Sequence, residues 1–150
     1  MKITIKKNNI NDLDRILLLS KKVFNPTPEE IIKYHNKEDW VSKIENRGLL
    51  LSASIDNDLI GFAICYKKDQ DILHIWNVGV NSDFRKKGIW KRLYTEITNW
   101  AKINKYKGVS LNTYQQKFPH MYSFVKSNNF TLVHEEIVDN QVKSYFKLIF

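Results

Sequence analysis

Seven stretches of the chain alternate apolar and polar residues or form short β-branched apolar runs, a pattern that predicts β-strands. These strands are predicted at 2–7, 49–55, 59–67, 72–80, 108–113, 130–137 and 141–149. Two of the connections consist of Asp and Asn, which suit tight hairpin turns: Asp56-Asn57-Asp58 and Asp139-Asn140. The three strands between residues 49 and 80 are therefore expected to form an antiparallel meander.

Between these strands, apolar residues at spacings of three and four predict helices. The first helix covers about 11–24. The second begins at Pro28, because Thr27 offers an N-cap hydroxyl and a Glu stands at the third helical position. It is expected to break near Asn36, resume, and end before Gly48.

Two further helices follow the meander. An apolar stripe from Ile89 predicts a helix that ends in the Lys-rich segment before Gly108, and another is predicted at 119–128. The order of elements is β-αα-βββ-α-β-α-ββ, an α+β arrangement. Because no linker, repeat or low-complexity block interrupts it, residues 1–150 are expected to form a single domain.

The composition is that of a globular protein. Hydrophobic residues make up 43% and aromatic residues 13% of the chain, which excludes a disordered segment. The N-terminus alternates polar and apolar residues, unlike a signal peptide, and no apolar run approaches the length of a membrane span. Cys65 has no second Cys to pair with and lies in an apolar strand. We therefore expect a soluble cytoplasmic protein with Cys65 in its core.

The formal net charge of +8 arises from 24 Lys and Arg against 16 Asp and Glu. It leaves nucleic acid, an anionic membrane and a phosphorylated small molecule open as partners. The Lys residues are spread over nearly every element, and no nucleic-acid recognition motif is present. Most of the charge is thus expected to favour solubility. Neither nucleic acid nor a membrane is expected as a partner.

One basic cluster lies between a predicted strand and the start of a helix, at 81–92. The first turn of a helix has backbone N–H groups without intrahelical acceptors, so it can bind a phosphate. Gly88 would let the chain approach such a ligand closely, and neighbouring Arg and Lys side chains add positive charge. The alternative is a solvated basic turn that leads into an ordinary surface helix.

The stretch Arg85-x-x-Gly88-Ile89-x, placed after a meander and two N-terminal helices, resembles the phosphate-binding motif of the GNAT family of acetyl-CoA-dependent N-acetyltransferases. The element order is similar to that family's fold over essentially the whole chain. The resemblance implies three layers: a central mixed, mostly antiparallel seven-stranded sheet flanked by about four helices.

The resemblance also implies acetyl-CoA as co-substrate, with no metal. Its pyrophosphate would bind backbone N–H groups in the motif, and the strand before the motif would lie along the pantetheine arm. The implied cofactor-binding residues are Val78, Val80, Arg85, Lys86, Lys87, Gly88, Ile89 and Trp90. Trp90 departs from the family, which usually has Gly or Ala there, and its side chain would either point into the protein or fill the cradle.

Amine acetylation needs a base to deprotonate the nucleophile and a donor to protonate the departing thiolate. His74 matches the position of the Glu that serves as base in some family members. Its alternative role is that of an ordinary sheet residue. The family's usual Tyr acid corresponds to Val125, so Tyr122, one helical turn earlier, is the predicted acid, with Tyr114 as a weaker substitute. Tyr122 could equally be an amphipathic surface residue.

The resemblance places an amine-bearing substrate between the N-terminal helices and the C-terminal hairpin. The residues implied there are Phe24, Glu29, Glu30, Tyr34, Trp40 and the segment 135–139. Carboxylates at the pocket mouth would attract a cationic amine, whereas Glu29 and Glu30 also suit a helix N-terminus and the apolar members also suit the core. The family's fold is compatible with a homodimer that pairs through the C-terminal strands.

The leading hypothesis is direct acetyl transfer to a primary amine in a ternary complex, because Cys65 lies in a core context that argues little for an acetyl-cysteine intermediate. The first alternative is a non-catalytic acyl-CoA sensor or scaffold with the same fold, favoured by Val125 and Trp90. The second is a basic nucleic-acid-binding domain.

Overall fold

The computed structural model describes residues 2–150, so Met1 of the predicted domain lies outside the described residues. Its seven strands are β1 (Ile3–Asn8), β2 (Leu49–Ile55), β3 (Asp58–Lys67), β4 (Ile72–Val80), β5 (Gly108–Tyr114), β6 (Thr131–Val138) and β7 (Gln141–Ile149). They form one sheet in the order β1-β2-β3-β4-β5-β7-β6. Every neighbouring pair is antiparallel except β4 and β5, which are parallel. The predicted mixed, mostly antiparallel sheet is confirmed.

The helices are α1 (Leu13–Phe24), α2 (Pro28–Tyr34), α3 (Lys37–Glu45), α4 (Ile89–Ile103) and α5 (Pro119–Ser127). Short 3-10 turns precede α1 at Ile10–Asp12 and follow β4 at Ser82–Phe84. The break predicted near Asn36 divides the second helix into α2 and α3. None of the helices described in residues 2–150 is long and apolar enough to cross a membrane.

Local sequence signals explain these boundaries. The Thr27 side chain accepts from the Glu30 backbone and the Glu30 side chain accepts from the Thr27 backbone, which completes a capping box at α2. The two predicted hairpin turns adopt left-handed backbone, with φ of 50° and 72° at Asp56-Asn57 and 51° and 63° at Asp139-Asn140. These conformations match the right-handed twist of the paired strands.

Helices cover both faces of the sheet, which gives three layers. On the α4–α5 face, Ile89, Leu93 and Val125 pack against inward residues of the central strands. On the α1–α3 face, Leu13, Ile16 and Trp40 pack against Leu50, Phe62 and Ile64. Cys65 belongs to the α4–α5 core with 0% exposure, and burial raises the pKa of its thiol. The thiol therefore stays protonated, as expected for a core residue.

Strands β4 and β5 separate halfway along their length. Their pairing covers only Ile72–Ile75 against Gly108–Leu111, although β4 continues to Val80 and β5 to Tyr114. On the other side of β4, a bulge places Trp76 between the residues that pair with Cys65 and Ile64 of β3. An extra residue shifts the alternation of side chains, so that Val78 and Val80 lie on the α4–α5 face. The result is a gap in the sheet beside the N-terminus of α4.

Candidate functional site

The N-terminus of α4 is open to an anion. Gly88 is the N-cap with φ of 76°, and the first helical hydrogen bond runs from the Arg92 N–H to the Gly88 carbonyl. Within residues 2–150, no side chain caps this helix and its first turn contains no acidic residue. A Cβ at Gly88 would meet no atom of the described residues within 4 Å, so the space in front of the loop is open. The backbone N–H groups of the first turn can therefore reach a phosphate.

Positive charge surrounds this helix end. Arg85, Lys86, Lys87 and Lys91 are exposed, and Lys86 has left-handed backbone with φ of 63°. Arg92 is directed elsewhere, because its Nη1 donates to the Ile3 carbonyl of β1 at 2.8 Å. Four of the five basic side chains of the motif are thus available to a phosphorylated ligand.

The side chain of Trp90 points into the protein. Its ring lies 5.2 Å from that of Phe124 on α5 and 5.6 Å from that of Tyr94 on α4, measured between centroids. Trp90 is therefore packed between the two helices and does not fill the loop at Gly88. Its indole Nε1 is buried without a hydrogen-bond partner among the described residues.

Two polar side chains on the part of β5 that borders the gap lack hydrogen-bond partners among the described residues. On β5, beyond the last pair with β4, Asn112 Oδ1 and Thr113 Oγ1 are buried and make no hydrogen bond within the described part of the chain. Buried polar atoms are nearly always satisfied in folded proteins, so unpaired ones indicate a missing ligand or water. The gap and the open helix end together fit an elongated ligand with phosphates at one end and amide groups along its length.

His74 is buried. Its side chain is 3% exposed, its Nδ1 lies 2.7 Å from Ser110 Oγ, and its ring packs edge-on against Tyr66. Burial, together with the charges of neighbouring Lys residues, lowers the pKa of His74 to about 3. The imidazole is therefore neutral at pH 7 but binds a proton weakly, which opposes a role as base in this conformation. Sequence reasoning did not identify Ser110 as its partner.

His74 and Tyr122 lie on opposite faces of the sheet. Tyr122 is half-buried on the α4–α5 face, where its ring packs edge-on against Phe146 at 5.8 Å, whereas His74 packs on the α1–α3 face. Val125 is 0% exposed within the core. The structure therefore does not bring the two predicted catalytic side chains into one hydrogen-bonded pair.

A cluster of phenols and carboxylates lies where α2, the end of β5 and the β6–β7 hairpin meet. Tyr145 donates its hydroxyl hydrogen to Glu136, which raises the pKa of Tyr145 to about 12. Burial raises the pKa of Tyr114, and Tyr34, Asp139 and Glu136 raise it further. Tyr34 and the carboxylates were expected near the acceptor. Tyr145 was missed, although its pairing with His134, two positions before Glu136 in the hairpin, is a usable signal.

Other residues expected at the acceptor site have structural roles. Trp40 is fully buried and its Nε1 donates to the Tyr34 carbonyl at 2.7 Å, so it belongs to the core and not to a substrate wall. Glu30 completes the α2 capping box and lies 3.8 Å from Lys117. Phe24 packs between His35 and Phe118. Glu29 is exposed in the first turn of α2.

Comparison with known proteins gives consistent results. The model of the acetyltransferase (GNAT) family matches residues 11–124. A search of curated proteins finds no match. Among solved structures, the PaiA N-acetyltransferase from Thermoplasma acidophilum in complex with coenzyme A has a TM-score of 0.79 at 21% identity, with 100% of both chains covered.

Two further structures have the same fold. The ribosomal-protein-S18-alanine N-acetyltransferase from Escherichia coli has a TM-score of 0.80 at 14% identity, covering 99% of this chain and 94% of that one. A GNAT family acetyltransferase from Elizabethkingia anophelis with acetyl-CoA bound has a TM-score of 0.66 at 18% identity, covering 99% and 98%. With the family's model spanning most of the sequence and its fold present throughout, the chain belongs to the GNAT family of acetyltransferases.

Proposed function

We propose that the protein transfers the acetyl group of acetyl-CoA to a primary amine by direct attack in a ternary complex. The observation that carries the proposal is the uncapped N-terminus of α4 beside the gap between β4 and β5. In this proposal the first-turn N–H groups, Arg85, Lys86 and Lys87 hold the pyrophosphate. The stretch Val78–Val80 lies along the pantetheine arm.

Bound acetyl-CoA supplies a thioester carbonyl as the electrophile. The chain contributes the β4 edge that faces β5, and among residues 2–150 this edge has no strand partner from Trp76 onward. Backbone N–H groups at that edge are preorganised donors for a developing oxyanion. In this proposal the N–H groups at the N-terminus of α4 bind the pyrophosphate. The N–H groups at the edge of β4 stabilise the oxyanion.

His74 is our candidate base, in a revised form. With Nδ1 held by Ser110, Nε2 is the atom that would take the amine proton, and the ring starts neutral, as a base must. Its low pKa makes proton uptake unfavourable unless acceptor binding raises it. Tyr122 remains the candidate thiolate donor. Tyr114 is its substitute, because its raised pKa keeps the phenol protonated.

The test uses the full chain with acetyl-CoA and a panel of primary amines, including polyamines, amino acids, amino sugars and peptides with free N-termini or Lys. Release of the coenzyme A thiol, dependent on both enzyme and amine, is the expected result. Mass spectrometry of the amine product should show one added acetyl group. No thiol release with any amine would contradict catalysis.

The alternative is a non-catalytic acyl-CoA-binding protein. The specific observations that favour it are the buried His74 and the core position of Val125, where the family places a Tyr. For this alternative we expect acetyl-CoA to raise the melting temperature without thiol release over the whole panel. Cytoplasmic location, homodimer formation and the absence of nucleic acid and membrane partners remain predictions from the sequence.

A further inference from the structure

Trp90 has a polar group that its role in packing does not use. The indole N–H is a donor only, and it is buried with no acceptor among the described residues. Packing against Phe124 and Tyr94 uses only the faces and edges of the rings. A Phe would make similar ring contacts without burying an unpaired donor. The N–H therefore points to an acceptor that the chain itself does not supply.

The position of Trp90 indicates where that acceptor lies. Trp90 follows the Gly88 loop by two residues, and its half-buried ring extends from α4 toward α5. It packs against the same core as Val78 and Val80, the last residues on this face of β4 before the gap. The indole is thus displaced from the open helix end toward the interior of the α4–α5 face.

The phosphates already have other partners in the proposed complex. The helix N-terminus and the exposed Arg85, Lys86 and Lys87 surround the outer end of the site. An additional donor located further inward suits the amide carbonyls of an extended arm better than it suits the pyrophosphate. On β5, beyond its last pair with β4, Thr113 Oγ1 is also buried and has no hydrogen-bond partner among the described residues.

We propose that Trp90 is a coenzyme-binding residue whose Nε1–H donates a hydrogen bond to a carbonyl oxygen of the pantetheine arm. This inference rests on the proposed function. At this position the family usually has Gly or Ala. In this chain the Trp side chain would instead bind the coenzyme through a hydrogen bond.

Calorimetric titration of the full chain tests the proposal with two probes: coenzyme A, and adenosine 3′-phosphate 5′-diphosphate, which lacks the pantetheine arm. Trp90→Phe keeps the aromatic packing and removes the donor. We expect it to weaken coenzyme A binding about tenfold, the effect of one hydrogen bond of ordinary net strength. Binding of the adenosine fragment should stay within about twofold of wild type. Trp100→Phe, on the same helix beside Tyr106, is the matched control and should change neither affinity.

A second measurement does not depend on the stability of the variant. In wild-type protein labelled with 15N at the indoles, four Trp Nε1–H signals are expected. Coenzyme A should move the signal that is missing from Trp90→Phe downfield, because that N–H gains an acceptor. If Trp90→Phe does not fold, Trp90→Tyr identifies the signal in the same way.

Three results would overturn the inference. Equal coenzyme A affinity in wild type and Trp90→Phe would make Trp90 a packing residue only. Equal losses for coenzyme A and the adenosine fragment would place its effect at the phosphate loop. An unshifted Trp90 indole signal at saturating coenzyme A would show that no hydrogen bond forms. If wild type binds neither probe, the proposed function fails. If wild type binds coenzyme A but any of the three results above is found, only the role of Trp90 fails.

Discussion

The Nδ1 atom of His74 lies 2.7 Å from the hydroxyl oxygen of Ser110, joining the parallel strands β4 and β5 at one of their last paired positions. Burial lowers the pKa of this imidazole from 6.5 to about 3. The contact keeps a neutral histidine next to the point where the sheet opens. The stability of the fold therefore depends on that protonation state.

We expect His74 to make the fold less stable in acid. Between pH 6.5 and about 3 the unfolded chain binds a proton at His74 that the folded chain does not, so the free energy of unfolding falls as pH falls. His74 alone contributes a slope of up to about 1.4 kcal/mol per pH unit in this window. Urea unfolding of wild type and His74→Gln at several pH values measures the difference. Parallel curves would contradict the low pKa.

Catalysis should depend on His74 more than cofactor binding does. We expect His74→Gln to lower kcat by about 10²- to 10³-fold, the range for removal of a general base. The dissociation constant for acetyl-CoA should change less than about twofold. Steady-state kinetics and calorimetry give the two quantities. An unchanged kcat would remove His74 from the mechanism, and water would then be left to accept the amine proton.

The effect of a substitution at Gly88 on coenzyme A binding should depend on the backbone preference of the new residue and not on the volume of its side chain. A Cβ there meets no atom of residues 2–150 within 4 Å, but φ of 76° costs a β-branched residue about 1–2 kcal/mol. Gly88→Val should therefore destabilise the loop and weaken coenzyme A binding by about tenfold or more. Gly88→Asn, which tolerates left-handed backbone, is the control and should bind nearly as well as wild type. Equal affinities for all three proteins would refute the cradle.

The tyrosine that donates to Glu136 should titrate abnormally late. The hydrogen bond to Glu136 raises the pKa of Tyr145 to about 12, so its phenol should remain protonated when an ordinary tyrosine has ionised. Absorbance at the wavelength of phenolate formation follows this titration in the folded protein. Burial also raises the pKa of other tyrosines, among them Tyr94 and Tyr114, so the late component should lose the amplitude of one tyrosine in Tyr145→Phe. In Glu136→Gln that amplitude should shift toward the ordinary pKa, and a late component of unchanged amplitude in both variants would contradict the prediction.

Local signals in the sequence predicted most of the fold. The hairpin turns at Asp56-Asn57 and Asp139-Asn140 and the capping box at Thr27 depend on neighbouring residues only, so their positions could be derived directly. The proposed phosphate loop before α4 was likewise predicted from residues that are contiguous in the sequence. The extra residue Trp76 in β4 could not be predicted, because its bulge arises from pairing with a separate strand.

The candidate site was less predictable, since its properties come from residues far apart in sequence. The low pKa of His74 results from burial, to which Tyr66 on β3 and Ser110 on β5 contribute. Likewise, the raised pKa of Tyr145 required the exact register of a hairpin. The orientation of Trp90 depended on Phe124, an aromatic residue of a different helix. The direction of the Trp90 side chain could therefore not be derived from the sequence.

The short parallel joint between β4 and β5 also has a mechanical consequence. In the part of the chain that the structure describes, four residue pairs, from Ile72–Gly108 to Ile75–Leu111, connect the β1–β4 half of the sheet to the β5–β7 half by strand pairing. Each half is an antiparallel unit with longer pairing of its own. Amides next to the gap are thus expected to exchange with solvent faster than those inside either half. A molecule seated in the gap would bridge the two halves and couple their opening.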